Sequence, residues 1–69
     1  MSAVEVHFMH LDHQNAVQDE FTKMMCRVPC VNEDITLKRG LFTVSQIAHV
    51  EDVNDPNAAL IPVAIIRYK

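Results

Sequence analysis

The chain reads as all-β: a small curled antiparallel sheet or open barrel of about five strands. Three observations predict it. Residues 3–8 alternate apolar and polar as a half-buried strand does. Residues 34–50 form two β-rich runs separated by Lys38, Arg39 and the single glycine, Gly40. Residues 58–68 are almost wholly apolar and follow an acidic, proline-containing loop.

In the first strand Val4, Val6 and Phe8 share one face, and Ala3, Glu5 and His7 share the other. Residues 12–15 are polar and turn-prone. The stretch 13–25 admits two readings. Val17, Phe21, Met24, Met25 and Val28 fit helical spacing, with Asp12 as a cap for a short helix. A strand over about 19–28 also fits. It is favoured because Pro29 closes the segment without a glycine stop, and because the following sheet needs a neighbour for its edge.

Residues 29–33 are a connector. The hairpin around residues 38–40 places Gly40 where positive φ is needed. Phe42 and Val44 keep one parity and Ile47 takes the other, which predicts a β-bulge near Ser45 and Gln46. Such bulges bend strands and let small sheets curl. In the last strand Ile61, Val63 and Ile65 lie on one face, and Leu60, Pro62, Ala64 and Ile66 on the other. Both faces are apolar, so both are expected to be covered. Pro62 cannot donate to a ladder, which predicts an unpaired edge at that point.

Sixty-nine residues make one domain, 1–69, with 49% hydrophobic residues and only 6% aromatic. Chains of this size bury only about 60% of their unfolded surface, so the core is marginal and an additional shield is expected. A second copy is the simplest shield, and the chain is read as a homo-oligomer. Its expected interface comprises Leu41 at the hairpin tip and Leu60, Ile61, Val63, Ile65, Ile66 and Tyr68 in the last strand.

The formal charge is -3, and the pI of 5.7 argues against a nucleic-acid binder, which carries a basic stripe. The acidic groups at 19–20, 33–34 and 51–55 fall at strand ends and loops, as a solvated rim does. No export signal is legible and the run 58–66 is too short to span a bilayer, so a cytoplasmic protein without membrane contact is expected. Cys26 and Cys30 are then read as reduced and packed like small hydrophobes.

Chemistry is sparsely encoded. His10, His13, Cys26 and Cys30, with His7 and His49 nearby in type, could supply four zinc ligands, but their spacing departs from the usual patterns. A Cys26 or Cys30 thiol beside His10 or His49 would be a nucleophile pair, yet no oxyanion donor or glycine-rich approach accompanies it. The chain also lacks a phosphate loop and a dinucleotide fingerprint. It is therefore read as non-enzymatic and free of cofactors. Met9, Met24 and Met25 serve as adaptable filling.

Residues 27–37 followed by 40–52, with a proline-led connector, a turn and an aromatic-x-Val strand ending in His49, resemble short uncharacterised bacterial and viral β-proteins. The likeness implies barrel geometry without a known activity, and the expected curled five-strand sheet resembles the Src-homology barrels. The functional expectation is a protein-interaction module that dimerises and binds or inhibits an unidentified partner protein, such as a phage or mobile-element accessory factor. Two alternatives follow from the residues. One is a ligand- or nucleic-acid-binding barrel using Arg27, Lys38, Arg39 and Arg67; the other is a zinc-stabilised mini-domain.

Overall fold

The computed structural model describes residues 3–69. It contains five strands: β1 (Val4–Leu11), β2 (Val17–Met25), β3 (Asp34–Leu37), β4 (Gly40–Val50) and β5 (Ile61–Tyr68). They form one sheet in the order β2-β1-β5-β4-β3, curled into a half-barrel. No helix occurs among the described residues, and none is long and apolar enough to cross a membrane.

The helical alternative over 13–25 gives way to β2. Asp12 organises a turn instead of capping a helix. Its Oδ1 accepts hydrogen bonds from the amides of Gln14 (2.8 Å) and Ala16 (2.9 Å), and Asn15 takes a left-handed φ of 66°. The chain therefore doubles back, and β2 pairs with β1 antiparallel from Val4↔Met25 to Leu11↔Val17.

β3 and β4 form the second hairpin, with Leu37 opposite Gly40. The positive φ falls on Gly40 (142°), the first residue of the returning strand. A Cβ there would stand 3.4 Å from Tyr68 Cε1. The expected bulge is present: the β4–β5 register shifts between Val44 and Gln46, and the Ser45 hydroxyl donates to the Ile65 carbonyl at 3.2 Å.

One pairing departs from the antiparallel expectation. β5 runs antiparallel to β4 but parallel to β1, from His7↔Val63 to His10↔Ile66. Local patterns encode hairpins; the joint between two hairpins is a long-range contact that no turn specifies. Pro62 sits where its missing donor is tolerated. It faces His49 on the β4 side, and the β1 ladder begins one residue later.

The core lies inside the curl. Val6, Phe8, Ile35, Phe42, Val44, Ala64 and Ile66 are buried, with Val4, Phe21, Met25, Leu37 and Ile47 packed against them. Phe8 stacks on Phe21 at 5.2 Å between ring centroids. The bulge explains why Val44 and Ile47, three apart, both point inward.

Candidate functional site

The register sorts every strand residue onto one of two faces. The concave face of β5 presents Ala64 and Ile66, and both are wholly buried. The convex face presents Ile61, Val63 and Ile65, flanked by His7 and Met9 of β1 and Val50 of β4. His7, Met9, Val50, Ile61 and Val63 line a shallow depression of ≈ 330 Å³ with no Lys, Arg, Asp or Glu in its wall, and His7 Nε2 lies 3.9 Å from Glu20 Oε1 at its edge. The depression spans three adjacent strands.

The expected interface residues divide accordingly. Ile61, Val63 and Ile65 lie on the convex face, Ile61 exposed and the other two half-buried. Leu60 and Leu41 are exposed at 54% and 43%. Ile66 leaves the set, because its own protomer encloses it completely. Tyr68 is 56% exposed but closes the rim of the concave core, stacked on Phe42 at 4.8 Å.

The zinc candidates are not gathered. His10 lies inside the curl, cross-strand from Asp19, at the end of the sheet where His13 occupies the β1–β2 turn. Cys26 follows the far end of β2, and Cys30 lies in the connector beyond it. No three His, Cys, Asp or Glu side chains converge among the described residues. The cysteines, read from sequence as packed hydrophobes, are instead free and exposed. The connector's core position is taken by Pro29, which is buried.

Among the described residues, His10 is the buried polar side chain. It is 5% exposed, edge-on to Phe42 (4.9 Å) and Tyr68 (4.6 Å), and its Nε2 has no hydrogen-bond partner among the described residues. The signal was available in the sequence. The parity of Val4, Val6 and Phe8 continues to His10 once the strand is carried past Phe8.

The cations proposed for a nucleic-acid face are mostly engaged. Arg27 makes a bidentate pair with Glu33 at 2.9 and 3.0 Å. Arg67 donates to the Asp12 carbonyl and to Asn15 Oδ1. Arg39 pairs with Asp19 while its guanidinium stands 4.6 Å from the Phe21 ring centroid. Groups committed to local acceptors leave little charge for a polyanion track. The same contacts set the carboxylates. Glu33 is held below its ordinary value by Arg27 and by the Cys30 amide, which donates to it. Asp34 is lowered by Lys69 and the Thr43 hydroxyl, and Asp12 by the Ala16 and Gln14 amides.

Comparison with protein-family models, curated proteins and solved structures finds no match to this chain, so its function is read from the geometry above.

Proposed function

We propose that this chain is a non-enzymatic protein-interaction module that pairs with a second copy of itself through the convex face of β1, β5 and β4. The carrying observation is the largely apolar depression formed by His7, Met9, Val50, Ile61 and Val63, which holds no Lys, Arg, Asp or Glu. A two-fold interface brings each patch against its own image, so a charged patch would repel itself and an uncharged one does not. The chain as a whole carries -3, which makes this face the favourable place for two copies to meet. Among the described residues the buried core holds seven hydrophobic side chains, and a second buried face would add stability to a sheet of this size. Free thiols at Cys26 and Cys30 suit a reducing compartment.

Light scattering across micromolar concentrations tests the reading. The wild type should have the mass of a dimer. Val63→Lys should be a monomer with an unchanged circular dichroism spectrum. A wild type that stays monomeric and soluble throughout that range overturns the reading.

A further inference from the structure

The curl brings the two outer strands, β2 and β3, to face each other without hydrogen bonds between them. Phe21 and Lys23 of β2, Leu37 of β3, and Lys38 and Arg39 of the turn line a cavity of ≈ 200 Å³. A second cavity of ≈ 260 Å³ continues along the same seam past Phe8, Met25 and Ile35. No Cα of β2 comes within 8 Å of a Cα of β3. Paired strands stand about 4.8 Å apart, so the two neighbours of one intervening strand stand about 9.6 Å apart. The seam is thus too wide for β2 and β3 to pair directly. At one end it is spanned by Arg39, which reaches Asp19 and covers Phe21, so the gap there is no wider than two side chains. Its floor is apolar, and each wall is a strand edge whose outward amides and carbonyls lack strand partners.

Charge selects the guest. Lys23 and Lys38 form no ion pair among the described residues, and Arg39 has one. A protein of formal charge -3 therefore carries a locally positive seam. A basic peptide would be attracted to the molecule yet repelled at this groove; an acidic one would be held there.

We propose that the seam between β2 and β3 takes an extended peptide of a partner protein, alternating apolar and acidic residues, which adds a strand to the open half-barrel. This rests on the chain being an interaction module, but not on its dimerising. The seam and the convex depression share no lining residue.

The probe is a capped peptide alternating glutamate and valine, about eight residues long as a strand is. Its partner probe substitutes lysine for glutamate. Titration into both the wild type and Val63→Lys separates this proposal from the dimer reading. The acidic peptide should bind at least about tenfold more tightly than the basic one in both proteins. It should shift the backbone amide resonances of Phe21, Lys23 and Leu37. Lys23→Glu combined with Lys38→Glu, at two exposed positions, should reverse the preference, and alternate N-methylation of the peptide should remove binding. Equal binding of the two peptides, no binding by either, or shifts confined to the convex face overturns the proposal.

Discussion

The two faces of β5 are nearly alike in composition and opposite in fate. Ile66 on the concave side is wholly buried, whereas Ile65 beside it on the convex side is half-buried. Ala64 is enclosed and Ile61 is exposed at 36%. Hydrophobicity marks what can be covered; curvature decides what is covered within one protomer. The curl of the sheet encloses one row of side chains and presents the other to whatever comes next.

The sharpest way to break this comparison is to cut the same side chain on each face. Ile66→Ala opens a cavity in an enclosed core and should cost about 3–4 kcal/mol in urea unfolding. Ile65→Ala should cost about 1 kcal/mol at low protein concentration. Its cost should grow as concentration rises, because copies that cover the convex face add mass-action stability. Equal costs at all concentrations would erase the distinction between the faces.

Gly40→Ala probes what aims the concave face. Gly40 holds a φ of 142°, and an added Cβ meets the Tyr68 ring at 3.4 Å. The expected loss is about 1–2 kcal/mol, read from the urea midpoint, with Tyr68 fluorescence changed. His10→Leu sharpens the comparison from inside. The buried Nε2 is unpartnered, and an apolar side chain of similar size removes that orphan, so unfolding should become harder by about 1 kcal/mol. A loss of stability would show that the imidazole contributes through its aromatic neighbours more than its nitrogen costs.

The smallest expected effect lies outside both faces, in the acid response. Glu33, Asp34 and Asp12 all have folded values below their ordinary ones. Their stabilising contribution is therefore present above the unfolded pKa and is lost as pH falls below about 5 and through the lowered folded values. Glu33→Gln should lower stability modestly at neutral pH and make the decline toward pH 3 shallower, as measured by urea midpoints at both pH values. An unchanged slope would mean that the Arg27–Glu33 pair is not coupled to folding.

The local half of this fold was legible in the sequence because its signals are local. Alternation places Val4, Val6 and Phe8 together, Gly40 marks a hairpin, and the parity switch between Val44 and Ile47 announces a bulge. Strand β2 was ambiguous because Phe21, Met24 and Met25 satisfy two periods at once; Asp12 and Asn15 settle it through turn contacts that have no periodic signature. The parallel β1–β5 joint was not legible, since residues 7–10 and 63–66 meet across most of the chain. The candidate site was half legible. The apolar rows of β5 were plain, but which row faces outward depends on the direction of curl. With both rows expected to need an outside cover, the sequence places Ile66 in the interface from its own row, and the curl encloses it instead. The seam was not legible at all, because Lys23 and Lys38 become neighbours only when the sheet bends.

The placement of β5 has a consequence for how the molecule assembles. Two hairpins, β1–β2 and β3–β4, can each form from neighbouring segments of chain, but they share no ladder with each other. Each is a lone two-stranded ribbon, a form that is marginal in water. The strand that joins them follows both in the chain, and it must slot between them. The search for that insertion between two separately formed ribbons therefore sets the pace of folding.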